Sequence, residues 1–420
     1  MVLLGIAMIP VLAFVVLAAI PDSGPPDLSH MLPEWDEALA DNPLSRFERV
    51  CDTLGPIPQT TIDDLLAAEN FDTDSAGALL ANHARHLQAI RTLSEQTRVP
   101  WQWQGMERVA DLETPPTDWN SLRFLPTLRT LETRHALESG DLEKAINLAN
   151  SSIDMGWSMA SAKGSLVHFL FSQTMVRRGL RDLRWIALHP KTDPRRLVDW
   201  FNFRDEYSDS ASALRFALKV EHVAMTGTLR KARSGNLEGL EEEFSHAIFA
   251  PLLHPNESSV MLADYLYRYI TLLEGRHEWS ELKTTSETLE SEIMSLRSHP
   301  YRMYFHPNSI GRILVTMATP AYSKIVRFPH EIEVEYALTN TTAALRRFQN
   351  DQKTLPTTLS ELVPEYLPEV PIDAFTDRPL LWNAETRVLY AVGSDGNDNG
   401  GQLKKRGVPA DERDLGVQIP

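Results

Sequence analysis

Cysteine is all but missing: Cys51 is the only one in 420 residues. That scarcity excludes a disulfide framework, a thiolate cluster for zinc or iron–sulfur, and a redox pair. Cys51 stands with Phe47, Val50 and Leu54 at helical spacing and reads as a small buried apolar residue rather than a nucleophile. Basic residues are short as well, with 41 Lys and Arg against 57 Asp and Glu and a net charge of -16. A phosphate-tracking surface needs a basic stripe, and the acids here are spread along the chain, so nucleic acid is excluded as a partner. The chain also lacks a Gly-x-Ser-x-Gly elbow, a phosphate loop, a dinucleotide fingerprint and a His-Glu-x-x-His pair. No small-molecule substrate is identified. Apolar content is not scarce: 43% hydrophobic residues suffice for real cores in a chain with room for two or three domains.

Met1 to Ile20 carries no charged side chain. A helix of that length covers about 30 Å, the hydrocarbon thickness of a bilayer. The stretch from Pro21 to Pro43 holds Asp22, Asp27, Glu34, Asp36, Glu37 and Asp41 but no Lys or Arg, so nothing basic keeps that side in the cytoplasm. The expectation is a single-pass inner-membrane protein, attached to the membrane through residues 1–20, with its bulk outside the cytoplasm on the periplasmic side. Two alternatives stand beside it. One is a signal peptide cleaved after Val16-Leu17-Ala18, which gives a secreted protein, and the other is a cytosolic core helix. Residues 21–43, rich in Pro, Asp and Ser, read as a tether.

Residues 44–300 read as a helical body. Asn42-Pro43 starts a helix through Leu54, Thr61 to Asn70 forms another, and Ser75 to Arg98 forms a long one with Leu79, Leu80, His83, Leu87, Ile90 and Leu93 on its apolar side. Trp101 and Trp103 follow in a loop, either as packing residues or as a ligand shelf. Arg134 to Ala145 ends one helix at Gly140 and opens the next at Asp141, with small alanines where two helices meet. That turn is similar to a tetratricopeptide hairpin, and Ala232 to Leu237 repeats the device. Gly140 and Gly235 are not separated by a multiple of the roughly 34-residue period, so an irregular stack of antiparallel helix pairs is expected instead of a solenoid. Residues 301–329 form a connecting segment, in which Asn308 caps a helix with Ile310, Ile313, Leu314 and Met317 inside, and Pro320 marks its end.

From residue 330 the chain changes character. A helix to Phe348 carries Val334, Leu338, Thr341, Leu345 and Phe348 as its stripe. Leu355-Pro356 makes a turn, and Ser360 caps a short helix. Strands Leu380 to Trp382 and Val388 to Val392 form a hairpin across Asn383 to Thr386, and a last strand lies between Leu415 and Ile419. The fold class is therefore mainly α, with an N-terminal membrane helix, an irregular helical-hairpin body and a small α+β domain over 330–420.

That last region resembles the periplasmic part of the major pseudopilins of type II secretion. The resemblance rests on Ala344 to Asp351, Leu355-Pro356, Leu362 to Leu367, Val370 to Phe375, and Leu389 to Gly396 with its Gly393-Ser394-Asp395-Gly396 close. It implies a spine helix, a sheet packed on it, and a calcium ion held in the loop after the last long strand. The matching ligands are the carbonyl of Leu389 and the carboxylates of Asp395, Asp398 and Asp414. Calcium takes about six to eight oxygens, which two or three carboxylates with carbonyls and water can provide. A Gly-Asp-Asn turn with no metal is the other reading. The apolar N-terminus lacks the glutamate of the family's leading helix and is separated from this region by the whole helical body, so the chain is not expected to be an ordinary fibre subunit.

Other constellations are weaker. Glu132/His135, Glu243/His246 and Glu274/His277 have the Glu-x-x-His spacing of di-iron bundles, and His83 with His86 could share one metal, but no further ligands announce themselves. Ser280 and Lys283 have the Ser-x-x-Lys spacing without the other motifs of that class. The reading is a non-enzymatic, membrane-tethered envelope protein with a partner-binding helical body and a pseudopilin-like interaction domain. The alternatives are an exported hydrolase with a pocket between its helices and a type II secretion-associated component.

Overall fold

The computed structural model describes residues 14–39, 41–51, 58–68, 70–103, 105–106, 124–197, 206–234, 250–403 and 414–420. Helices dominate: α1 Pro43–Cys51, α2 Gln59–Ala67, α3 Thr73–Asn82, α4 Ala84–Ser94, α5 Leu125–Glu138, α6 Leu142–Ser161, α7 Leu166–Leu188, α8 Glu206–Ser234, α9 Pro255–Leu272, α10 Trp279–Ser298, α11 Pro300–Tyr304, α12 Ser309–Ser323 and α13 Phe328–Gln352. Two small antiparallel sheets lie near the C-terminus. β1 Ile372–Asp373 pairs with β2 Arg378–Pro379, and β3 Leu381–Asn383, β4 Val388–Ala391 and β5 Leu415–Gln418 form a sheet in that order. In the hairpin Trp382 faces Leu389, and β5 sets Val417 beside the same residue.

The helix pair α5–α6 turns as its sequence predicts. Gly140 takes φ +88. The amide of Asp141 then returns to the Ala136 carbonyl at 2.9 Å, a closure that only a left-handed residue permits without strain. The Asp141 side chain accepts the Lys144 amide at 3.0 Å and opens α6. Ala136 and Ala145 are buried where the helices touch. The second such turn, at Gly235, lies outside the described residues, as does Leu54 at the end of the first expected helix.

Several expectations are revised. The long helix over 75–98 is two helices broken at His83, whose amide meets the carbonyls of Leu79 and Leu80 instead of continuing the ladder. Asp72 starts the first of them by accepting the Ser75 amide. Pro320 lies inside α12, and the buried face of that helix is Gly311, Val315, Thr316, Thr319 and Tyr322; Ile310, Ile313 and Leu314 are only half-buried, and Met317 is exposed. The 3-10 turn Leu359–Leu362 is capped by Thr358 with Glu361, not by Ser360. Trp101 and Trp103 are buried, and their indole N–H groups donate to the carbonyls of Gln96 and Met159, so they pack and form no shelf.

The stretch 21–43 does not hang free. Asp22 accepts the amides of Asn256 and Glu257 at 2.9 and 3.3 Å, which places a carboxylate on the first turn of α9. Met31 enters the main core, Trp35 meets Phe216 edge to face, and Lys163 pairs with Asp36 at 2.7 Å. Apolar anchors within an acidic, proline-rich segment lay it on the body. Residues 1–13 of the expected membrane segment lie outside the described residues, residues 14–18 are helical, and among the described residues no helix is long and apolar enough to cross a membrane.

The core runs across the expected boundary near residue 330. One cluster joins Phe169, Leu218, Leu266 and Leu289 of the body to Leu338 and Leu345 of α13 and to Leu362, Phe375, Leu389 and Ile419 of the C-terminal region. The stripe expected on α13 is buried at Val334, Leu338, Thr341 and Leu345, but so are Glu331 and Glu335 on another face. There α7 supplies Arg177, Arg181 and Arg184. Arg177 reaches Glu331 at 2.8 Å, Arg181 reaches Glu335 at 3.1 Å, and Arg184 grips both the carboxylate and the carbonyl of Glu335.

Candidate functional site

The candidate site is the loop after β4. Val388 to Ala391 are buried as the central strand, and the chain then turns through Gly393, Gly396, Gly400 and Gly401, all at positive φ. At Gly401 (φ +78) a Cβ would lie 3.0 Å from Val388 Cγ1, so the turn needs glycine there both for space and for conformation. Leu389 is fully buried between β3 and β5. Asp414, at the entry to β5, accepts three loop amides: Asn399 at 3.3 Å, Gly401 at 2.7 Å and Gln402 at 3.2 Å. Burial pushes its carboxyl up, and those amides oppose the shift. Asp398 accepts the Gly400 amide at 2.8 Å and the Tyr390 hydroxyl at 3.2 Å. Burial, together with Asp398 and Asp414, pushes the Tyr390 phenol up to about 12.

Of the predicted ligands, Asp398 and Asp414 therefore come together around Tyr390. Asp395 turns the other way. Its carboxylate accepts the Asn397 amide at 3.1 Å, and its carbonyl accepts the Lys283 ammonium at 2.8 Å. Trp279 donates its indole N–H to the Ser394 carbonyl at 2.8 Å, so the first turn of α10 holds the loop at two consecutive residues. Among the described residues no three His, Cys, Asp or Glu side chains are grouped to hold a metal. The carboxylates are spent on the loop's own amides, and a lysine already sits on the outward carbonyl. As folded, this donor set does not fit the calcium shell that the resemblance implies.

The lysine latch can be tested. Lys283→Met removes a charge-assisted hydrogen bond, a loss of about 1–3 kcal/mol. Amide exchange over residues 393–401 is expected to accelerate in that variant and to be the same in calcium and in chelator for the parent chain. Unchanged exchange in Lys283→Met would remove the latch, and protection gained on adding calcium would restore the metal.

The other constellations do not assemble. Glu132 pairs with Arg129 at 2.9 Å and Arg91 at 3.5 Å rather than with His135. His277 pairs with Glu281 at 2.7 Å, and His83 and His86 face one another with Nδ1 atoms 3.4 Å apart. Glu243 and His246 lie outside the described residues. Ser280 donates to Glu278, while Lys283 serves the loop. Two serine–histidine contacts were not legible in the sequence. Ser165 Oγ lies 2.7 Å from His168 Nδ1, but the same nitrogen accepts the Ser165 amide as the cap of α7. The ring lies 4.1 Å from that of Trp103, and burial pushes its pKa down to about 3, which leaves it a poor base. His222 and Ser259 meet at 3.2 Å with both residues buried. Asp182, whose carboxyl burial pushes up to about 7, is enclosed with Thr130 at 3.0 Å.

No family model, curated protein or solved structure matches the chain. The functional reading rests on its own residues.

Proposed function

We propose that this chain is a non-enzymatic, membrane-tethered envelope protein. Residues 1–20 hold it to the membrane with its bulk on the periplasmic side, and the helical body presents the C-terminal region to another envelope protein. The observation that carries this reading is the double burial of α13, which is at once the support of the small sheets and a central helix of the body. A region joined in this way moves as one piece with the body, as a presenting scaffold requires.

The pseudopilin-like reading draws support from the order of elements: a long helix, a capped short turn, then a three-stranded antiparallel sheet with an acidic loop between β4 and β5. A role beside the type II secretion machinery follows from that kinship. The sealed serine–histidine pairs speak against the hydrolase alternative.

The test is capture of the tagged full-length chain from detergent-solubilised membranes. The chain is expected in the membrane fraction together with a specific envelope protein. Ile372→Asp, which changes an exposed apolar side chain on β1, is expected to reduce recovery of that protein. Recovery of the full-length chain alone, from the soluble cytosolic fraction, would sink the proposal.

A further inference from the structure

Between Ile293 and His330 the chain has no Asp or Glu, although it carries 57 of them in all. The same interval contains Arg297, Arg302, Arg312, Lys324 and Arg327. Arg312 and Arg327 are paired, with Glu257 and Glu331, whereas Arg297, Arg302 and Lys324 make no ion pair with a described residue. Apolar side chains stand beside these charges in the open. Tyr301 is 77% exposed, Tyr304 59%, Phe305 55%, Met294 61% and Met317 67%. The rings of Tyr301 and Phe305 lie 5.4 Å apart on one side of α11. The outward Ile310, Ile313 and Leu314 of α12 extend the apolar face.

The start of the chain is bound at the same corner. Asp22 caps α9 through Asn256 and Glu257, and the Glu257 carboxylate in turn faces His306 and Arg312, each at 3.7 Å. Arg312 donates to the Arg302 carbonyl at 2.9 Å, which ties α11 to this group. The apolar N-terminal segment therefore leaves the body next to the exposed aromatic turn.

We propose that α11 and the outward face of α12 lie in the headgroup layer of the bilayer that holds residues 1–20, with aromatic rings at the interface and arginines on anionic phospholipid. This inference rests on the membrane-anchored reading above. Tyrosine suits that depth because its ring is apolar and its hydroxyl stays wet, and basic side chains near an anionic leaflet add attraction. The geometry sets an orientation too. α10 ends at the aromatic turn and begins at Trp279, which holds the C-terminal loop. A helix of 20 residues spans about 30 Å, so the C-terminal region stands that far from the lipid.

The test places an environment-sensitive fluorophore on Tyr304→Cys or, as a control at the far end of α10, on Ser280→Cys, in the full-length chain reconstituted into vesicles. The parent chain, with Cys51 alone, sets the background. The Tyr304→Cys probe is expected to shift to the blue and to be quenched by spin-labelled lipid, more strongly with phosphatidylglycerol than in phosphatidylcholine alone, while the Ser280→Cys probe is not quenched. If the chain floats with the vesicles but both probes are equally unquenched, the proposal is overturned and the anchor stands. Quenching that ignores phosphatidylglycerol overturns the role of the arginines. If the chain fails to float with vesicles, the anchor fails, and this inference fails with it.

Discussion

Glu335→Gln is expected to destabilise the protein by about 3–5 kcal/mol near neutral pH, because removing one partner of a buried ion pair strands the other charges. Glu335 lies on α13, buried, with Arg184, Arg181 and Arg177 of α7 around it. Burial alone would push its carboxyl up, but the three guanidinium groups hold it down at about 2. The sign follows from linkage. A carboxylate with a lowered folded pKa contributes stability above the unfolded value of about 4.3, and that contribution is lost as the pH falls through about 2. Urea midpoints for the parent and Glu335→Gln should therefore differ widely at pH 7 and converge as the pH falls below about 4.3 towards 2. Equal midpoints at neutral pH would show that the cluster contributes nothing. Replacing Glu335 and Arg184 together with apolar residues of similar volume is expected to cost less than the single change, since no stranded pair remains between them.

Gly156→Leu is expected to cost about 3 kcal/mol or more, through overpacking at the crossing of α6 and α7. A Cβ at Gly156 would lie 2.6 Å from Val176 Cγ2, 2.8 Å from the Ser172 carbonyl oxygen and 2.9 Å from the Val176 nitrogen. Two of these three neighbours are backbone atoms of α7, so a rotamer change cannot clear them. Gly179 makes the reciprocal approach, with a Cβ placed 2.7 Å from the Ala149 carbonyl oxygen and 2.6 Å from Ile153 Cγ1. Alanine at either position recovers about 1 kcal/mol of helix propensity and so should fall between glycine and leucine. Gly24, with nothing within 4 Å of its Cβ position, serves as the neutral comparison. A parent-like urea midpoint for Gly156→Leu would mean that the two helices can separate without loss.

Local chemistry was legible where its partners are near in sequence. The Gly140–Asp141 turn, the hairpin of β3 and β4, the last strand at Leu415 and the long helix ending near Phe348 each follow from turn residues, caps and periodicity within a few positions. The face of α12 did not follow, because apolar residues stand on both sides of that helix and only packing against α9 and α10 selects Val315 over Met317. The candidate metal ligands were legible as an acidic loop. Their destination was not: Lys283 and Trp279 reach Asp395 and Ser394 from more than a hundred positions away, and no pattern within either segment announces the other.

The sequence by itself determined that this is a mainly helical chain with a short β-rich end, an apolar start and an acidic balance that keeps it from nucleic acid, because these properties depend on composition and on neighbours along the chain. Only the tertiary structure decided that the proline-rich tether lies on the body, that α13 is buried on both sides by Arg–Glu pairing with α7, and that the loop carboxylates turn inward onto amides. Each of these depends on which distant side chain arrives to satisfy a buried charge or cover an apolar face, and such meetings are specified by packing in space.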